Sequence, residues 1–320
     1  MELAAKAVAH VAISSKAFAA ELVDSFLNSA FEWLIDTHER ANDNRRLAAV
    51  LITKELARST PTFFFQKANK FFDNIFKVVM DSRALLREEA VAALRAALVV
   101  TSQRETQQQQ KTQWYQQCYQ EATECFIAGA KEERFLHSAL LIFNELLRIA
   151  NADGERLRQE AIELIKDESY ATRIQTSISQ RKTSVHGGGV HGASEDVIYW
   201  LISPSLPSHF ESKTCRSLVT NNYREICQLT SKCRMAKQPY IHQVLLELFP
   251  RLAAFQPAAF TQTHLNESIQ YVLTVLNRER DKRNGYIALG IMTSIAKSAV
   301  EPHIPKIFEV IKSSLPNKDT

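Results

Sequence analysis

Apolar residues recur at positions i, i+3, i+4 and i+7 in window after window of this chain, a spacing that specifies amphipathic α-helices, each with one greasy face. Ala139, Ile142, Phe143, Leu146 and Ala150 line one such face. Ile241, Val244, Leu245, Leu248 and Leu252 line a second, and Ile269, Val272, Leu273 and Leu276 a third. Each segment is roughly 15 residues long, hence about 22 Å. None can bury its stripe alone, so each must pack against neighbours.

The segments come in pairs that echo one another. RRLAAVLITKEL (Arg45 to Leu56) returns in outline as RFLHSALLIFNEL (Arg134 to Leu146), with Ala49, Ile52, Glu55 and Leu56 matching Ala139, Ile142, Glu145 and Leu146. Weaker echoes are REEAVAALRAAL (Arg87 to Leu98) and RNGYIALGIMTSI (Arg283 to Ile295). From Ala49 to Ala90 the step is 41 residues and from Ala90 to Ala139 it is 49. That period predicts an all-α solenoid of HEAT or armadillo type, a right-handed superhelix of antiparallel helix pairs. Prolines follow first helices (Pro61, and Pro302 with Pro305), and a single second helix is expected over Thr62 to Met80. Asp81 and Arg87 are expected to bond from turn to turn along the stack. Pro250 is expected to kink its helix, because it lacks the amide that would bond back to Leu246.

Composition agrees. Only 8 glycines and 9 prolines occur in 320 residues, where average usage is about 7% and about 5%; barrels, sandwiches and doubly wound sheets need more turn residues. With 39 basic against 35 acidic side chains, a net charge of +4 and 45% hydrophobic residues, the chain is neither a disordered polyampholyte nor a basic nucleic-acid tail. No apolar run is long enough to span a bilayer. Glu2 and Lys6 among small apolar residues do not resemble a secretion signal. Five cysteines, odd in number and without CxxC spacing, predict a reducing, cytoplasmic compartment.

One window breaks the period. Thr183 to Ser208 holds four of the eight glycines and two prolines, and reads as a long inserted loop with a short apolar turn at Val197 to Ile202. Gln103 to Gln113 reads as a second exposed connection. Inside the loop, His186-Gly187-Gly188-Gly189 imitates a lipase oxyanion run, but no GxSxG elbow accompanies it; the nearest serine context, Gly192 to Asp196, lacks the second glycine. No GK[ST] follows the glycines, so they do not cradle phosphate as a P-loop does. His186 and His191, with Cys215, fit no closed zinc spacing. Arg181-Lys182-Thr183-Ser184 presents a hydroxyl behind two cations, a pattern that basophilic kinases phosphorylate.

Two groups of residues admit two readings each. Arg45-Arg46, then Lys232 with Arg234 and Lys237, then Arg278 with Arg280, Lys282 and Arg283 are either nucleic-acid contacts or solvated helix ends, with Asp43, Glu279 and Asp281 interrupting. Phe63, Phe64, Phe65, Phe71, Phe72 and Phe76 occupy too many faces for one neighbour, so at least one packs on the next repeat or on an external partner.

PTFFFQ (Pro61 to Gln66), FFDNIF (Phe71 to Phe76), REEAVAALRAAL, QWY (Gln113 to Tyr115), GERLR (Gly154 to Arg158) and FPRLAAFQP (Phe249 to Pro257), in collinear order, resemble the N-terminal HEAT region of the target of rapamycin (TOR) kinases, of the phosphatidylinositol-kinase-related group. The resemblance implies a piece of a very large serine/threonine kinase without its catalytic end, since no DFG, HRD or glycine-rich nucleotide loop is present. It also implies a place in the horn of TOR complexes, contact with the substrate-recruiting subunit Raptor, and proximity to the surface that the small GTPase Rheb engages.

The reading from sequence is therefore HEAT-like repeats over 1–180, a flexible loop over 181–209 and further repeats over 210–320. They form a non-catalytic interaction scaffold, with a free-standing adaptor of nuclear-import or phosphatase-scaffold type as the alternative. An adaptor of that kind would carry polar outer faces on its end helices, whereas Leu3, Val8 and Val11 make an apolar stripe at the start. The beginning inside an amphipathic helix and the end at Pro316 to Asp319 suggest a truncated product. No catalytic, cofactor-binding or metal-ligating residue is assigned. Neither nucleic acid nor a membrane span is expected.

Overall fold

The computed structural model describes residues 1–15, 18–35, 42–104, 112–129, 132–151 and 212–314. Chain contacts divide the molecule into two units, Met1–Asn151 with Phe210–Thr320, and Ala152–His209; the first is described below. The expected loop at 181–209, with its histidines, its serine and the 1–180 boundary, lies outside the described residues, as does GERLR.

The described residues are helical throughout. In chain order the helices are α1 (Glu2–Ser14), α2 (Ala19–Ile35), α3 (Asn42–Ser59), α4 (Pro61–Gln66), α5 (Ala68–Val79), α6 (Ala84–Ser102), α7 (Thr112–Ala128) and α8 (Glu133–Ala150). After the second unit come α9 (Lys213–Lys232), α10 (Pro239–Phe255), α11 (Pro257–Thr263), α12 (Leu265–Val275), α13 (Lys282–Ala296) and α14 (Ile304–Ser314). They form an all-α solenoid in two layers. α1, α3, α6, α8, α10 and α13 stack side by side in the first layer, each on the one before. α2, α5, α7, α9 and α12 make the second layer, and each packs on a first-layer helix. The echoed segments of the sequence all fall in the first layer, in α3, α6, α8 and α13.

The three stripes read from the sequence are buried without exception, from Ala139 to Ala150, Ile241 to Leu252 and Ile269 to Leu276. One continuous core runs from Ala9 to Val300, which is what a stack of helices with one greasy face each must produce. Proline opens α4, α10 and α11 as Pro61, Pro239 and Pro257, where the missing amide costs nothing because the first turn has no acceptor for it. α10 continues through Pro250 to Phe255.

The expected single helix over Thr62 to Met80 is two helices. It breaks at Lys67, whose backbone (φ −106, ψ 6) leaves the helical region while its amide bonds to the Phe64 carbonyl at 2.9 Å. The break brings the Phe64 and Phe71 rings edge to face at 5.4 Å, and both are fully buried. α11 and α12 repeat the device at His264 (φ −124, ψ −17), with Phe260 in the place of Phe64.

Within the first unit, the residues on either side of 152–211 meet. The Ser212 amide donates to the Ile149 carbonyl at 3.2 Å. Ser212 then caps α9, its hydroxyl accepting from the Cys215 amide at 2.9 Å, and the Cys215 thiol reaches the Leu146 carbonyl at 3.4 Å. α8 and α9 thus pack as neighbours although residues 152–211 separate them in sequence.

Candidate interaction surface

The first layer carries a ladder of polar rungs between successive helices. Arg46 of α3 pairs with Asp81 at 2.8 Å, and Lys54, two turns on, pairs with Glu89 of α6 at 2.7 Å. The next interface repeats the plan. The Arg87 Nε donates to His137 Nδ1 at 3.1 Å, and Arg95, two turns on, forks onto the Glu145 carboxylate at 2.7 and 2.6 Å. Between α8 and α10, Arg251 donates to Asn144 at 2.7 Å, and the Asn144 amide donates to Glu247 at 3.2 Å.

Arg87 binds in three directions. Its Nη1 donates to the Asp81 and Ser82 carbonyls, each at 2.8 Å, which closes the turn before α6. Its Nε reaches α8, and its guanidinium lies 5.1 Å from the ring centroid of Tyr240 on α10. Asp81 and Arg87 therefore do link successive turns, but through Arg46 and His137 rather than through each other's side chains. Burial first, and the Arg87 charge second, push the His137 imidazole down to about 3; the ring is neutral and Nδ1 is free to accept. Burial works to raise Glu145, yet the guanidiniums of Arg95 and Arg148 outweigh it and hold the carboxyl below its usual range.

These rungs hold one helix to the next. All five cysteines are free and buried, and burial raises Cys118, Cys125, Cys227 and Cys233, away from the thiolate that chemistry requires. Among the described residues no group of three or more His, Cys, Asp or Glu side chains is placed to hold a metal ion, and no helix is long and apolar enough to cross a membrane.

The phenylalanine cluster turns inward. Phe64, Phe71, Phe72 and Phe76 are buried, and Phe72 stacks on Trp114 of α7 at 5.1 Å, so the aromatic surplus serves the contact with the next repeat. Phe65 meets the same indole edge-on at 6.0 Å. Of the basic clusters, Arg46 is taken up by Asp81 and Arg234 by Glu267 at 2.6 Å.

What the surface offers instead is an edge. Where the chain returns from the second layer to the first, a large apolar side chain is exposed at each of four successive turns: Ile35 at the end of α2, Leu85 at the start of α6, Ile127 near the end of α7 and Met235 after α9. Sequence reasoning missed this row, since four isolated apolar residues at turns make no periodic pattern. Aligning the helices by their ends would have found it. α1 and α14 also expose apolar side chains, including Leu3, Val11, Ile304 and Phe308.

A fold of this kind belongs to many proteins, and relatives supply what geometry does not. The serine/threonine-protein kinase mTor of Drosophila melanogaster is 32% identical over the whole of this chain, which covers 14% of that protein. The chain is homologous to one stretch of the TOR kinases. The target of rapamycin homolog of Caenorhabditis elegans is 30% identical over 98% of the chain, which covers 12% of it. For the serine/threonine-protein kinase tor1 of Schizosaccharomyces pombe the figures are 25%, 99% and 10%. The chain thus spans about an eighth of the length of these TOR relatives. No protein-family model matches the sequence.

Proposed function

We propose that this chain is a non-catalytic protein–protein interaction scaffold, equivalent to the N-terminal HEAT region of a TOR kinase, that helps to assemble a TOR complex in the cytoplasm. The observation that carries this reading is the whole-chain homology to TOR kinases, beside polar rungs that tie one first-layer helix to the next. A Raptor-type subunit, the GTPase Rheb and the remainder of a TOR chain are the partners that the homology suggests. Kinase activity would reside elsewhere in such an assembly. The apolar outer faces of α1 and α14 count against a free-standing adaptor, which would carry polar ones.

The test is co-purification of this chain, joined to the flanking TOR repeats, with a Raptor-type subunit. A stoichiometric complex is expected, with background phosphotransfer by the isolated chain. Absence of any complex overturns the scaffold reading, and robust turnover overturns the non-catalytic one.

A further inference from the structure

Two neighbouring turns on the return edge carry cations that the fold does not use. Elsewhere the described basic side chains largely have structural partners: Arg46 with Asp81, Lys54 with Glu89, Arg95 with Glu145, Arg251 with Glu247. Lys232 and Lys237 flank the turn after α9, and Arg278 and Arg283 flank the turn before α13; all four are exposed, with no side-chain hydrogen bond or ion pair among the described residues. Arg280 is also exposed, its Nε 3.4 Å from Asp281. Three nearby acids are engaged or buried. Glu133 accepts from the backbone amides of Lys237 and Gln238 at 3.0 Å, Glu267 pairs with Arg234, and Asp281 has no solvent exposure.

The two turns form one surface. Arg234 beside the first bonds Glu267 on α12, the helix that leads into the second. His242 of α10 bonds the Tyr271 hydroxyl of α12 at 2.6 Å, and the charges of Arg278 and Asp281 bear on both rings. Gly285 lets α13 lie close on the end of α12 at the second turn; a Cβ there would lie 2.7 Å from Leu276 Cδ2. In the first turn, between Lys232 and Lys237, stands Met235, 89% exposed, a flexible, polarisable side chain that adapts to apolar partners of varied shape.

Resting on the scaffold reading above, we propose that this patch docks an acidic peptide segment of a protein partner, with a bulky apolar residue seated on Met235 and carboxylates on Lys232, Lys237, Arg278 and Arg283. Unpaired cations on two neighbouring turns, with an exposed apolar side chain on one of them, complement an anionic segment with an apolar anchor. A single-stranded nucleic acid instead favours aromatic platforms for its bases, and the large exposed side chain here is a thioether.

The test is fluorescence anisotropy on the full chain with four labelled probes: a glutamate-rich peptide holding one leucine–phenylalanine pair, the same peptide with alanines for that pair, a single-stranded RNA oligonucleotide, and vesicles containing phosphatidylserine. The first probe is expected to bind most tightly, and to weaken as salt rises. Met235→Glu and the double reversal Lys237→Glu with Arg278→Glu should each weaken it about tenfold or more, equivalent to about 1.4 kcal/mol, with the circular dichroism spectrum and Tm unchanged. Equal binding by the variants, no preference over the alanine peptide, or tighter binding of RNA or vesicles overturns the proposal. Raptor-type co-purification, run on the same variants, reads the scaffold reading separately: its failure with the unaltered chain leaves the peptide result standing.

Discussion

Arg87 and His137 show how a polar pair is made safe inside an apolar stack. Arg87 is 1% exposed and His137 is 1% exposed, and a buried cation needs its donors satisfied; two carbonyls, an imidazole nitrogen and the face of Tyr240 do that. The arrangement requires a neutral ring. An unfolded histidine titrates near 6.5, whereas burial and the neighbouring guanidinium hold the folded one at about 3. Between those values the unfolded chain binds the extra proton, so stability is fully present above about pH 6.5 and falls with pH, by up to about 1.4 kcal/mol per unit. Urea midpoints measured from pH 7 to pH 4 should show this slope, and His137→Gln should flatten it by about one proton. An unchanged slope in that variant rules out His137 as its source. Glu145 gives a second prediction. The carboxylate is 1% exposed and forked by Arg95, so Arg95→Ala removes the closest cation from a buried charge. The loss should be about 3 kcal/mol, read as a shift in the chemical unfolding midpoint. Glu145→Gln, which removes the charge itself, should lose less.

At the scale of elements, what binds one repeat to the next in the second layer is aromatic. Trp114 is 6% exposed, stacks on Phe72, meets Phe65 edge-on, and donates its indole N–H to Asn69 at 3.0 Å. Trp114→Ala should therefore cost about 3–5 kcal/mol, and should loosen α5 and α7 together in hydrogen exchange; loss confined to α7 refutes an inter-repeat role. The burial of the three stripes was legible because a period of 3.6 residues is a local property of the chain. The break at Lys67 was not, since neither glycine nor proline marks it; what accompanies the bend is the contact of the buried Phe64 and Phe71 rings, which has no local signature. The polar rungs were hidden for another reason. Arg46 with Asp81 and Lys54 with Glu89 are each 35 residues apart, and Arg87 with His137 and Arg95 with Glu145 each 50. Separations of that length follow from the repeat register rather than from any neighbouring residues. The doubled offset within each interface is nonetheless a signal, visible once α3, α6 and α8 are slid over one another.

At the scale of the whole unit, stability in a stack is a sum of each repeat's own stability and its contacts with neighbours, so the passage from α8 to α9 is the place to test continuity. Residues 152–211 intervene there, yet the chain leaves and re-enters at one point: Ser212 bonds Ile149, Cys215 bonds Leu146, and the Tyr119 hydroxyl of α7 donates to Glu225 of α9 at 2.7 Å. Tyr223 of α9 in turn donates to the Leu252 carbonyl of α10 at 2.7 Å. None of these contacts needs the intervening residues. Replacing 152–211 by a short glycine–serine linker should therefore leave the first unit folded. Loop-closure entropy changes by only about 0.6 kcal/mol for each doubling of length, and at roughly 2–4 °C per kcal/mol for a domain of this size the Tm should hold or rise by a few degrees. Hydrogen exchange should show α8 and α9 as protected as in the full chain. A fall in Tm beyond about 10 °C, or loss of protection in α9 alone, would mean that the joint at Ile149 and Ser212 depends on what lies between.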